Sequence, residues 1–260
     1  MARLTIHQLE KRYRNGFHAL KGIDLEVKSG SFTVVMGPSG AGKSTLLRLV
    51  NGLETPSSGQ VSINAMPVNL ATLQTVRGNV GMVFQHFNLV DRLSVMTNVL
   101  VGRLRHRSWL GSLFYLFRRE DLAIAHQALG RVGLVDKCWE RADRLSGGQQ
   151  QRVGIARALA QSPKLILADE PVASLDPVSS EEIMGLLHEI CRRDGITLLV
   201  NLHQVNLAKR FADRIVGLNS GQLVFDGTPA QLDQNALRKI YQREGQVKHD
   251  EQLESALAYA

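Results

Sequence analysis

Apolar residues recur along the chain in two distinct patterns. Residues 3–9 and 23–28 alternate apolar with polar positions, the period of short strands with one wetted face. The stretches SFTVVMG (31–37), PKLILADEP (163–171) and GITLLVNLH (195–203) are nearly continuous apolar runs. Such runs suit parallel strands buried on both faces. Residues 59–66 and 79–85 also read as strands, and 44–53 (STLLRLVNGL) has helical spacing. From about 88 to 160 the pattern is mostly helical, through LAIAHQALGRVGL and QQQRVGIARALAQ, and SSEEIMGLLHEICRR (179–193) predicts another helix. ADRIVGLNSGQLVFDGTP (212–229) predicts a hairpin turning at Asn219-Ser220-Gly221.

Strand and helix alternate, which predicts an α/β protein with a parallel-sheet core interrupted by a helical subdomain. There is no internal repeat and no low-complexity linker. The expected organisation is one domain over 1–245, with its core at about 1–87 and 161–245 and its helical subdomain at about 88–160. Residues 246–260 read as a solvated tail.

The strand at 31–37 runs into GPSGAGKST, that is Gly37, Pro38, Ser39, Gly40, Ala41, Gly42, Lys43, Ser44 and Thr45. A phosphate-binding loop needs this spacing between a strand and a helix. Its small residues let backbone N–H groups wrap a β-phosphate, and the helix N-terminus faces the negative charge. Lys43 is expected to reach the β- and γ-phosphates, and Ser44 to offer its hydroxyl to Mg²⁺. LILADE places Asp169 and Glu170 at the C-terminal end of a buried strand, where ligands bind in open parallel sheets. Asp169 is expected to hold Mg²⁺, and Glu170 to orient and deprotonate an attacking water.

His203 follows another core strand and is a candidate contact to the γ-phosphate and the water; a lone His there is as readily structural. Gln85 ends the strand GMVFQ, where it either senses the γ-phosphate or Mg²⁺ or simply caps the strand. Tyr13 offers a ring for adenine, with Phe17 as its competitor and core packing as the plain alternative for both. A second small-residue turn opens a helix at LSGGQQQR (145–152). That turn is an anion site in its own right, so the chain carries one phosphate cradle and half of another.

Charge changes this picture little. The net charge is +7 and the pI about 9.7. No run of five or more Lys/Arg occurs and few aromatics interleave with the basic residues, so a nucleic-acid partner is not expected. RLRHR (103–107) and FRR (117–119) are the densest basic clusters and candidates for a face meeting a membrane or an acidic partner. The two cysteines, Cys138 and Cys191, show no metal spacing and suit a reducing compartment. The N-terminus is too polar for a signal peptide, and no apolar run approaches the roughly eighteen residues a membrane span needs. A soluble chain is expected, with any membrane role borrowed from a partner.

Taken in order, GPSGAGKST, Gln85, LSGGQQQR, LILADEP, SLD (174–176) and His203 resemble the nucleotide-binding subunits of ATP-binding cassette (ABC) transporters, over about residues 3–245. The resemblance implies a P-loop NTPase core of RecA-like type, an N-terminal antiparallel β subdomain and an inserted helical subdomain. It implies that Ser146, Gly147, Gly148 and Gln149 act in trans, with Ser146 and Gly148 on the γ-phosphate of ATP held by a second copy, and that Asp176 lines the same interface. A head-to-tail homodimer with two ATPs follows. It also assigns sensing of the γ-phosphate or Mg²⁺ to Gln85 and contacts to the γ-phosphate and the attacking water to His203, and favours Tyr13 as the adenine stacker. Within the family, QHFNLVDRLSVMTNVLVGRL, ADEPVASLDP, NLHQV and the apolar insert around SWLGSLFYLF resemble the ATPases of bacterial phosphonate importers. That implies transmembrane permease subunits, an indirect periplasmic phosphonate-binding protein, and a peripheral position on the cytoplasmic face of the inner membrane. Amino-acid and phosphate-ester importers are the alternative cargo classes. The insert LGSLFYLF (110–117) either packs inside the helical subdomain or lines a groove for a permease helix. A DNA-repair or ribosome-acting ATPase would carry coiled-coil or zinc insertions or a second cassette, and a GTPase an NKxD motif; the sequence has none of these.

Overall fold

The computed structural model describes residues 1–106 and 117–242. Most of the LGSLFYLF insert and the whole 246–260 tail lie outside the described residues.

The described strands form two sheets. β1 (Leu4–Arg12), β2 (His18–Val27), β4 (Ser58–Ile63) and β5 (Met66–Pro67) make an antiparallel sheet in the order β2-β1-β4-β5. β3 (Phe32–Met36), β6 (Val80–Val83), β7 (Leu165–Asp169), β8 (Thr197–Asn201), β9 (Arg214–Asn219) and β10 (Gln222–Gly227) make the second, in the order β10-β9-β3-β8-β7-β6. Its ladders are parallel except at the β9–β10 hairpin. The expected α/β class with an antiparallel N-terminal sheet is the one observed.

The continuous apolar runs have a direct cause. Along β7, Leu165 and Leu167 point into one core, with the antiparallel sheet and helix α1 (Lys43–Val50). Ile166 and Ala168 point into the other, with helices α3 (Val95–Leu100), α4 (Arg119–Arg131), α5 (Gly147–Ala160) and α6 (Pro177–Asp194). Each buried Leu or Ile contributes about 1.5–3 kcal/mol. A one-residue slip would exchange the two sets of side chains between cores.

Three helices were not visible in the periodicity: α2 (Leu73–Asn79), α7 (Val205–Phe211) and α8 (Gln234–Tyr241). α2 and α7 span seven residues each, about two turns, too short to declare a period, whereas α8, at eight, is as long as α1, whose spacing is legible. β2 begins at His18, earlier than the pattern suggests, because β1 pairs with it from Arg12↔His18 onward. The predicted hairpin turns through Ser220 (φ 49°) and Gly221 (φ 81°), the left-handed pair a two-residue turn of this hand requires. Within the basic cluster that begins at Arg103, Arg103 itself is buried, with Nε on Asp121 Oδ1 at 3.0 Å and Nη1 on the Ala160 carbonyl at 2.9 Å. It ties the turn after α3 to α4 and α5.

Candidate active site

Four neighbouring parallel strands, β3, β8, β7 and β6, point their C-terminal ends the same way. The phosphate loop follows β3, His203 follows β8, Glu170 follows β7, and Gln85 follows β6. Residues far apart in sequence therefore meet at one sheet edge because their strands are adjacent.

The phosphate loop needs its glycines for geometric reasons. Gly37 (φ 151°), Gly40 (φ 82°) and Gly42 (φ 104°) all have positive φ. A β-carbon on Gly37 would lie 2.1 Å from the Leu218 carbonyl oxygen, and one on Gly42 would lie 2.6 Å from that of Ala19. Gly221 N–H donates to the Ala41 carbonyl at 3.1 Å, so the tip of the β9–β10 hairpin braces the loop. α1 starts at Lys43 with no side-chain cap and no acidic residue in its first turn, leaving its positive end to the loop. Lys43 is buried, its Nζ donating to the carbonyls of Gly37 (2.8 Å) and Pro38 (3.1 Å). Burial pushes its pKa down, and the carboxylates of Glu170 and Asp169 oppose that shift.

Ser44 Oγ donates to Asp169 Oδ1 at 2.9 Å. His203 Nε2 lies 2.6 Å from Glu170 Oε1, a short charge-assisted contact. The hydrogen bond from His203 is the main reason the Glu170 carboxyl is held below its usual range; burial opposes it, and the charges of His203 and Lys43 reinforce it. Glu170 has φ 49°, an unusual value for a non-glycine residue and one typical of functional sites. The buried Tyr241 hydroxyl donates to the His203 carbonyl at 3.3 Å, so α8 supports this end of β8.

The turn at 145–149 is built differently. Ser146 is exposed and caps α5, accepting from Gln149 N–H at 3.4 Å while the Gln149 side chain accepts from Ser146 N–H at 3.2 Å. A β-carbon on Gly147 would meet Leu175 at 3.3 Å, and one on Gly148 would meet Ser179 Oγ at 3.3 Å. The turn thus sits beside the SLD stretch of its own chain. Asp176 is exposed and caps α6, accepting from Ser179 N–H at 3.0 Å. Its bonds with Ser179 hold its pKa below the usual range.

The Gln85 turn is gripped by α5. Gln151 Nε2 donates to the Phe84 carbonyl at 3.4 Å, and Arg157 donates to the carbonyls of Phe87 (2.8 Å) and Asn88. Phe87 and Asn88 are both left-handed, each with φ 50°.

Tyr13 stacks on Phe17, with ring centroids 6.4 Å apart and planes 17° apart. Its hydroxyl donates to Glu54 Oε1 at 2.8 Å and lies 3.3 Å from Thr45 Oγ1. Phe17, more than half exposed, lines a recess of about 300 Å³ with Lys21, Pro38, Ser39 and Gly40. The two aromatic candidates therefore form one stack beside the loop, with Phe17 on its open side.

Two residues here escaped the sequence reading. Glu54 holds Tyr13 and meets Lys11 at 3.2 Å. Asn201, fully buried at the end of β8, donates from Nδ2 to Asp169 Oδ1 at 2.7 Å. Its signal was available: an amide closing an apolar strand is costly unless a polar partner faces it.

The donor set fits a hard divalent cation. Ser44 and Asp169 supply oxygen, and the buried Asn201 Oδ1 has no protein partner. No group of three or more His, Cys, Asp or Glu side chains able to hold a metal occurs among the described residues, so further ligands would come from phosphate and water, as Mg²⁺ commonly has them.

Comparisons with known proteins show the family. The ABC transporter family model matches residues 20–173. A phosphonates import ATP-binding protein of Thiobacillus denitrificans is 70% identical over all of both chains. A phosphite import ATP-binding protein of Stutzerimonas stutzeri is 51% identical, over 92% of this chain and 86% of the other. Among solved structures, a dimeric ATP-binding cassette in a post-hydrolysis state with ADP and phosphate is 35% identical. It has a TM-score of 0.76 and covers 87% of this chain and 98% of its own.

Proposed function

The chain belongs to the ABC transporter family, and on that premise we propose that it is the ATP-hydrolysing motor subunit of a bacterial phosphonate importer. The observation that carries the motor reading is the convergence of Lys43, Ser44, Asp169, Glu170, His203 and Gln85 at one sheet edge. The cargo rests on likeness to the importer ATPases, since transported substrate need not touch this chain.

On this reading the loop 37–45 wraps the phosphates of ATP, and Lys43 leaves its loop carbonyls to meet the γ-phosphate. Ser44 and Asp169 would hold Mg²⁺, which would supply neutralisation of the charge that develops on the phosphates. Glu170 is ionised and takes the proton of the attacking water. His203 orients Glu170 and faces the γ-phosphate, Gln85 senses the γ-phosphate, and the Tyr13–Phe17 stack meets adenine. Ser146, Gly147, Gly148 and Gln149 act on ATP held by a second copy, whose interface Asp176 lines. ATP then joins two copies, and hydrolysis removes the shared ligand and lets them part. Among the described residues no helix is long and apolar enough to cross a membrane, and permease subunits supply the path. The motor sits at the cytoplasmic face of the inner membrane, and a periplasmic binding protein delivers phosphonate to the permease.

The test is growth and uptake on a phosphonate as sole phosphorus source after deletion of the gene. Wild type should restore uptake. Glu170→Gln should not, because its hydrolysis is expected to fall by roughly 10²–10⁴-fold while ATP binding persists. A parallel phosphite arm separates the two cargoes named among the relatives. Unchanged phosphonate uptake in the deletion strain, with no second copy of the gene, overturns the cargo.

A further inference from the structure

Asn201 closes β8, whose other four residues, Thr197, Leu198, Leu199 and Val200, are all fully buried. The β7–β8 register sets Asn201 beside Asp169. Asn201 Nδ2 donates to Asp169 Oδ1 at 2.7 Å, the same oxygen that accepts from Ser44 Oγ at 2.9 Å. Two donors on Oδ1 leave Asp169 Oδ2 unshared with either. The other end of the amide, Asn201 Oδ1, is buried without a protein partner. An orphaned buried acceptor costs about 1–3 kcal/mol, and a leucine of similar size would avoid that cost. The amide is therefore a poor choice for the core alone.

We propose that Asn201 is a positioning residue of the cation site. Its amide N–H fixes the Asp169 carboxylate so that Oδ2 faces the cation, and its Oδ1 accepts from a water of the cation's shell. A neutral amide suits this place. It orients the carboxylate without the charge of a lysine, which would compete with the cation, or of a second carboxylate 2.7 Å from the first, which would favour protonation. Groups that orient a metal ligand commonly contribute 10–100-fold to metal affinity.

The proposal rests on the reading of Ser44 and Asp169 as the Mg²⁺ site, and the experiment separates the two. A fluorescent ATP analogue is bound to wild type and to Asn201→Leu without metal, and Mg²⁺ is then titrated in. Binding of Mn²⁺ to the same complexes is followed by electron paramagnetic resonance. The expected result is a melting temperature no lower than that of wild type, unchanged metal-free nucleotide affinity, and a Mg²⁺ midpoint raised about 10–100-fold. Mn²⁺ should weaken in parallel. Should the leucine variant fail to fold, Asn201→Ser is read in the same way, with a shift of the same sign. If wild type responds to Mg²⁺ and the folded variant matches it, the role of Asn201 is overturned and the cation site stands. If wild type binds nucleotide with no dependence on Mg²⁺, the cation site falls and the role of Asn201 with it.

Discussion

The phosphate loop and the turn at 146–149 use glycine for different reasons. In the phosphate loop, positive φ angles and nearby carbonyls exclude a side chain at Gly37 and Gly42. In the turn at 146–149 the glycines have ordinary φ, and an added β-carbon would find contacts no closer than 3.3 Å. Glycine in a helix costs about 1 kcal/mol relative to alanine, and the fold's own geometry does not demand it at Gly147 or Gly148. One turn is shaped by its own chain. The other leaves Ser146 exposed and holds its two glycines half-buried beside Leu175 and Ser179.

The strongest challenge to that contrast is a mixing experiment. Lys43→Ala and Ser146→Arg should each lower hydrolysis by at least about 10²-fold, the cost of removing one aligned transition-state donor. Mixed together they should recover activity. Random pairing puts half the dimers in the mixed form, each with one intact composite site, or up to about a quarter of wild-type turnover if the sites act independently. Recovery absent from dimers shown to be mixed counts against action in trans.

Next in size is a pair of alanine substitutions. Gly42→Ala should cost at least about 2 kcal/mol, from strain at its φ and overlap with the Ala19 carbonyl. Gly148→Ala should stay within about 1 kcal/mol of wild type in urea unfolding and yet lose ATP-driven dimerisation by size-exclusion chromatography. Equal destabilisation by both would erase the distinction between the turns.

The smallest effect is acidic. Glu170 has a depressed pKa in the folded state, so its contribution to stability is complete above the unfolded value of about 4.3 and is lost as pH falls through the folded value. The stability difference between wild type and Glu170→Gln, from urea midpoints, should hold steady near neutrality and change only below about pH 4.3. A difference that begins to change near pH 7 would assign it to another group.

Local chemistry was the part most legible in the sequence. GPSGAGKST and LILADE announce themselves because strand, turn and helix succeed one another within a few residues. Burial on both sides of β3, β7 and β8 was also legible, because their apolar residues run on without alternation, broken only by Thr33, Thr197 and the strand-end residues Asp169 and Asn201. What could not be read was which strands are neighbours. The order β3-β8-β7-β6 is a property of the packed sheet, and it alone puts Asn201 on Asp169 and His203 on Glu170. Glu54 was hidden for the same reason, since its bond to Tyr13 spans 41 residues. The short helices α2 and α7 were hidden by length.

The grip of α5 on the Gln85 turn has a mechanical consequence. Arg157 and Gln151 fasten that turn at both ends to the helix whose first residues carry Ser146. The turn cannot shift by much more than the slack of a hydrogen bond unless those bonds break or α5 travels with it. Gln85 and Ser146 thus sit on one lever arm. A displacement of either one is passed to the other through a single rigid rod.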